Sequence, residues 1–393
     1  MARNKKVRVA VNGYGVIGKR VADAVALQDD MELVGIADIN YDYRVRVAAE
    51  RGYPIYASLP ERRRLMEEAG FSVAGTLEDL VRQVDVVCDC TPKGIGAKNK
   101  AIYEQAGVKA IFQGGEKHEV AGFSFTAQVN YADALNRQYA RVVSCNTTGI
   151  CRLMNALHKR GWVKRARGVM VRRGTDPWES HEDGMINTAI PETRVPSHQG
   201  PDAQTVIPGL DITTMAGAGP YNLSHLHYMM VETTRPVSVD ELRHALWEEP
   251  RVAFVRAGDG LVALNSVIEL MRDLRRPRND MWEVAVWEDA LASDGRELYL
   301  TYQVHNEAIA IPETIDCIRA LTGIETDGMR SIEKTNRSLG IVKSFFPKTV
   351  PEAAEFAALG AALAAAQRQF MEEGFKGSEE PTEAEPTAAQ RPS

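Results

Sequence analysis

Residues 7–20 read VRVAVNGYGVIGKR. An apolar run enters a turn carrying Gly13, Gly15 and Gly18 in a GxGxxG pattern, with Val16 and Ile17 opening an amphipathic segment. Glycines placed between a strand and a helix permit a tight turn. They also bring free N–H groups of the helix N-terminus up to a pyrophosphate, so Gly13, Gly15, Val16, Ile17 and Gly18 are candidate dinucleotide-binding positions. Asp38 ends the next apolar run, MELVGIAD, at the ~20-residue distance of a carboxylate that accepts hydrogen bonds from a ribose. Such a carboxylate repels a 2′-phosphate and favours NAD. Arg44 and Arg46 are the counter-signal, since they would supply compensating charge for NADP if their loop folds over the adenosine.

Moving outward, short apolar runs alternate with amphipathic stretches through VDVVCDCTP, AGVKAIFQGGE and ARVVSCNTT. Runs too apolar for half-exposed strands indicate parallel strands covered by helices on both faces. The expectation is an α/β chain with a Rossmann-type doubly wound parallel sheet over residues 1–145. Beyond it, RARGVMVRRGT, LSHLHYMMVETT, MWEVAVWED and ELYLTYQVHNEAIAI alternate with period two, which predicts a mostly antiparallel sheet in an α+β catalytic domain over 146–330. TNRSLGIVKSFF predicts a helix within 331–350 that returns to the first domain. The alanine-rich stretch 351–374 predicts a helical extension, and the composition of 375–393 predicts a disordered tail.

With 393 residues, 44% hydrophobic and 25% charged, the chain has the balance of a soluble globular protein of two domains. A net charge of −6 gives no general attraction to nucleic acid or to anionic membranes. No run approaches the ~18 apolar residues of a spanning helix, and the start shows no apolar signal segment, so a cytoplasmic protein is expected. Cys88, Cys90, Cys145, Cys151 and Cys317 are odd in number and irregularly spaced, which predicts free thiols; without a CxxC pair no metal site is expected.

Cys145 lies in SCNTTGICR, between a strand end and a helix start, where the helix dipole would lower its pKa. Around it the chain resembles the archaeal-type (class II) phosphorylating glyceraldehyde-3-phosphate dehydrogenases. The shared motifs are AVNGYGVIGKRVADA, IFQGGEK, VVSCNTTGICR, VRRGTDP, VPSHQGPD, LDITTMA and TNRSLGIVK, spanning about residues 7 to 345.

That resemblance implies Cys145 as nucleophile and His225 as the base that activates it. On an extended strand His225 and His227 share one face, so His227 stays open as an alternative base. It further implies Gly115, Arg173 and Asn306 on the cofactor side, and Ser144 and Asn146 beside the substrate. Arg172, Arg173 and His198, with the neighbouring Gln199 and Gly200, are implied at the phosphates of the substrate and of inorganic phosphate. A homotetramer is implied as well. Three departures stand out: Asp38 where many relatives carry a lysine, Gln199 in SHQ where relatives read SHH, and the extension after Phe346. The rival readings are an acyl-phosphate-coupled semialdehyde dehydrogenase and a non-catalytic dinucleotide-binding redox sensor.

Overall fold

The structure, a computed structural model, describes residues 6–113, 115–183 and 186–346. The expected extension (351–374) and tail (375–393), with residues 347–350, lie outside the described residues.

Eight strands form the first sheet: β1 (Val7–Asn12), β2 (Met31–Asp38), β3 (Ile55–Ala57), β4 (Val73–Thr76), β5 (Val86–Asp89), β6 (Lys109–Phe112), β7 (Ser124–Phe125) and β8 (Tyr139–Val142). Their order is β4-β3-β2-β1-β5-β6-β8-β7 and every pairing is parallel. The order reverses between β1 and β5, and ligands bind such sheets outside the carboxyl ends of the strands at this point. The glycine turn after β1 stands there.

The second sheet contains β9 (Val163–Arg173), β10 (Ile190–Pro191), β11 (Ile212–Gly219), β12 (His225–Thr233), β13 (Val252–Val255), β14 (Val284–Trp287), β15 (Ala292–Ser293) and β16 (Glu297–Val304). Five of its seven pairings are antiparallel; β11 with β9 and β13 with β14 are parallel. The α/β class and the mostly antiparallel second sheet agree with the alternation in the sequence.

The helix Cys145–His158 leaves β8 of the first sheet but buries Ile150, Leu153, Met154 and Leu157 in the second core, against Met229, Leu300 and Val304. Gly149 makes this possible: a Cβ there would lie 2.6 Å from Cγ2 of Val304. Cys145 therefore sits where the chain passes from one domain to the other.

The helix Ile311–Thr322 corrects the expected domain boundary. Ile311, Ile315, Ile318 and Leu321 pack in the first core with Val9, Val11 and Val25, so the second domain does not run unbroken to 330. The sequence shows that this helix has an apolar face, but not which sheet covers it. The last described helix is Gly328–Leu339, earlier than expected, and ends at Gly340 (φ +71). It packs on Ile311–Thr322 and places Ile332 and Leu339 in the first core, whereas Phe345 packs with Val255 and Met271 of the second domain.

A buried ionic cluster joins the two parts. Arg152, two turns after Cys145, bonds Glu313 at 2.6 Å and donates to the carbonyls of Trp282 (2.6 Å) and Ile309 (2.9 Å). Arg251 bonds Glu313 (3.0 Å) and Asp316 (2.5 Å), and all four side chains are fully buried. Charges taken out of water persist only with such complete pairing.

Candidate active site

Gly13 adopts φ +89, and a Cβ there would lie 2.9 Å from the carbonyl carbon of Cys90 in the loop after β5. A Cβ on Gly18 would lie 1.8 Å from the Gly13 carbonyl oxygen. The helix Val16–Ala26 begins at Gly15 with no side chain among the described residues capping it, so its first amides remain available to an anion. The turn thus fits a dinucleotide. Asp38 is buried, and its carboxylate accepts from the N–H of Tyr14 (2.6 Å) and of Asn40 (2.7 Å). It fastens the glycine turn to β2 while each oxygen keeps a further acceptor position.

The two arginines set against Asp38 are both engaged. Arg44 chelates Asp42 through Nε (3.1 and 3.0 Å) and lies over the ring of Trp178 at 4.9 Å. Arg46 donates to the Ala69 carbonyl (3.0 Å) and lies over Phe71.

At the domain boundary Ser144 caps the helix Cys145–His158, its hydroxyl accepting from Thr147 N at 3.4 Å. This places the Cys145 thiol at the helix N-terminus, within 3.4 Å of His225 Nε2. The sequence led us to expect a lowered thiol pKa. Burial instead pushes it up to about 11, against the opposing pull of Arg173, the amides of Asn146 and Cys145, and Arg172. Burial, His227 and Arg173 hold His225 well below its usual value. The resting pair is a neutral thiol and a neutral imidazole. Arg173 N donates to His225 Nδ1 at 3.0 Å, so the neutral ring carries its proton on Nε2, facing the sulfur.

Neighbouring residues on β9 diverge, as alternation requires. The Arg173 guanidinium bonds Asp176 (2.5 Å) and, with the Asn306 amide turned so that its oxygen faces it, donates to Asn306 from Nε (2.5 Å) and Nη2 (3.2 Å). Arg172 bonds Glu192 at 3.1 Å. His227 Nε2 meets the Asn146 side-chain oxygen at 2.8 Å, not the sulfur.

His198 immediately precedes the short helix Gln199–Gln204 and lines a cleft of about 740 Å³. Lys93, Lys117, Arg141 and Arg194 line it too, together with Gly115, which the sequence reading had assigned to the cofactor side. The cleft borders the nucleophile helix through Asp202, which bonds Arg141 (2.5 Å) and accepts from Thr147 (3.0 Å). Sequence reasoning missed Lys93, Lys117 and Arg194 because they come from three separate loops. Gln199 is fully buried with neither amide atom partnered among the described residues, and Gly200 N donates to Thr214 (2.9 Å).

A glycine turn shaped for a dinucleotide, with a thiol and an imidazole meeting beside it at the domain boundary, makes this chain a dinucleotide-dependent oxidoreductase. The model of the glyceraldehyde 3-phosphate dehydrogenase C-terminal domain matches residues 144–290, and that of the dihydrodipicolinate reductase N-terminus matches 7–121. Glyceraldehyde-3-phosphate dehydrogenase of Methanobacterium bryantii is 50% identical over 336 residues, 85% of this chain and 99% of that protein. The enzymes of that name from Methanothermobacter thermautotrophicus and Methanothermus fervidus are 49% and 45% identical, over 86% and 85% of this chain and 100% and 99% of theirs. The chain belongs to the glyceraldehyde-3-phosphate dehydrogenase family, in its archaeal type. Among the described residues no helix is long and apolar enough to cross a membrane.

Proposed function

We propose that this chain catalyses the reversible, phosphorylating oxidation of D-glyceraldehyde 3-phosphate to 1,3-bisphosphoglycerate, with NAD as cofactor, as a cytoplasmic homotetramer in glycolysis or gluconeogenesis. The observation that carries the reading is the 3.4 Å approach of His225 Nε2 to Cys145 Sγ at a helix N-terminus. The cation-lined cleft beside it suits a phosphorylated aldehyde and inorganic phosphate.

A bound nicotinamide would supply the hydride acceptor. Gly13, Gly15, Val16, Ile17 and Gly18 would hold its pyrophosphate, Asp38 its ribose, and Asn306, anchored by Arg173, its carboxamide. Asp38 repels a 2′-phosphate and Arg44 is already neutralised by Asp42, which favours NAD over NADP.

The Cys145 thiol loses its proton to solvent, and the thiolate attacks the aldehyde carbon: a C–S bond forms and the carbonyl electron pair moves to oxygen. His225 donates from Nε2 to the sulfur and then to this oxygen. To act as the base expected from the sequence, the ring would have to carry its proton on Nδ1 instead, releasing the Arg173 N–H and leaving Nε2 free to take the thiol proton. Loss of hydride from the carbon leaves a thioester on Cys145. Phosphate, held among His198 and the nearby cations, then displaces the thiolate to give the acyl phosphate. Arg172, paired with Glu192, is kept as a candidate for the substrate's own phosphate.

Association between copies has support in an outward row across three paired strands, Met215, Val169 and Tyr228, all exposed. Val169→Asp is expected to yield smaller species in sedimentation.

The reaction is tested by following formation of the reduced nicotinamide with glyceraldehyde 3-phosphate, with and without inorganic phosphate. Phosphate-dependent reduction that Cys145→Ser abolishes is the expected result. Reduction with aspartate semialdehyde alone would overturn the substrate, and turnover by Cys145→Ser would overturn the nucleophile.

A further inference from the structure

His225 and His227 are neighbours on one face of β12, and the residues they meet are neighbours too: Cys145 and Asn146 in the first turn of the nucleophile helix. The first pair belongs to the reaction above. The second has no part in it so far.

His227 is fully buried, with its Nε2 2.8 Å from the Asn146 side-chain oxygen and its Nδ1 without a hydrogen-bond partner among the described residues. These facts settle the tautomer. A proton on Nδ1 would bury an unpaired donor and point a lone pair at the Asn146 oxygen. A proton on Nε2 satisfies that oxygen and leaves only a lone pair unmatched, which costs less. Charging the ring would add the unpaired donor as well, in agreement with burial lowering its pKa to about 3. The ring plane is held by the edge-on ring of Tyr302 at 4.8 Å and by parallel stacking with His225 at 6.4 Å.

The Asn146 amide is therefore oriented. Turning it over would set its NH2 against the Nε2–H of His227. With its oxygen held inward, its Nδ2 makes no hydrogen bond within the described protein, and the residue keeps a 5% exposed remainder beside the nucleophile. We propose that His227 is a positioning residue that turns the Asn146 amide so that Nδ2 donates to the aldehyde oxygen when Cys145 attacks. No proton moves in that step. The C–S bond forms, the carbonyl pair passes to oxygen, and the developing charge meets a donor already in place. The inference rests on the reading of Cys145 as nucleophile.

The test compares kcat/KM for glyceraldehyde 3-phosphate with the rate of Cys145 alkylation by iodoacetamide, which needs the thiol but no carbonyl donor. Asn146→Ala is expected to lower kcat/KM by about 10²-fold or more, the typical effect of losing one such donor. His227→Phe is expected to match it, and the double variant to be no worse than Asn146→Ala, because both remove one interaction. His227→Gln, whose amide nitrogen reaches the same acceptor, should recover most of the loss, while the shorter His227→Asn should not. Alkylation rates and NAD binding should stay at wild-type values in these variants. If His227→Phe does not fold, the Gln and Asn variants carry the comparison. Wild-type kcat/KM in His227→Asn, or losses that multiply in the double variant, would overturn the role of His227. Turnover by Cys145→Ser would instead overturn the reading beneath it.

Discussion

The backbone N–H of Arg173 donates to Nδ1 of His225 at 3.0 Å, and this bond directs the imidazole proton to the nitrogen that faces Cys145. A second ring proton would have to displace it, so the resting site does not store a thiolate–imidazolium pair. Burial, which pushes the thiol up to about 11, acts in the same direction. A raised thiol pKa means that little thiolate exists at neutral pH and that its fraction grows as pH rises. The rate of iodoacetamide alkylation of the ligand-free enzyme should therefore climb steadily from pH 7 to pH 10, about tenfold per unit. A plateau reached below pH 7 would show an ion pair and refute this.

Asp38 serves the glycine turn through Tyr14 N and Asn40 N and, in the proposed function, would face the ribose with charge. Asp38→Asn keeps one acceptor oxygen and removes the repulsion of a 2′-phosphate. The ratio of kcat/KM for NAD to that for NADP should fall by about tenfold, through about 1.4 kcal/mol of lost discrimination. An unchanged ratio would mean that Asp38 acts on the turn alone.

Gln199 is buried with both amide atoms unpartnered among the described residues, which costs stability unless a ligand satisfies them. Gln199→Leu is then expected to stabilise the ligand-free protein by about 1 kcal/mol and to raise the KM for triose phosphate or phosphate. Thermal unfolding with and without phosphate, alongside kinetics, reads both. A less stable protein with unchanged KM would rule the idea out.

Glu313 compensates Arg152 and Arg251 and accepts from Ala127 N at 2.6 Å. Glu313→Ala leaves two buried guanidinium groups short of a partner, and a loss of about 3–5 kcal/mol is expected from urea denaturation. A loss under about 1 kcal/mol would mean that the cluster rearranges around the gap.

The parts of the site that were legible in the sequence rest on local chemistry. The glycine turn, Asp38 at the end of β2 and Cys145 at a strand-to-helix junction each follow from spacing over a few residues to a few tens, where apolar period and backbone geometry leave few choices. Alternation placed His225 and His227 on one face, and the family motifs favoured His225. The structure pairs that residue with the sulfur and the other with Asn146.

What the sequence by itself determined was the class of fold and the succession of a parallel sheet by a mostly antiparallel one, and it singled out the residues proposed to carry the chemistry. The tertiary structure alone decided the rest: the helix Ile311–Thr322 closing the first core, Lys93, Lys117 and Arg194 joining His198 in one cleft, and the thiol standing above its usual pKa instead of below it. The physical reason is common to all three. Burial and long-range approach depend on which surfaces pack together, and an apolar face or a charge in sequence does not name its partner.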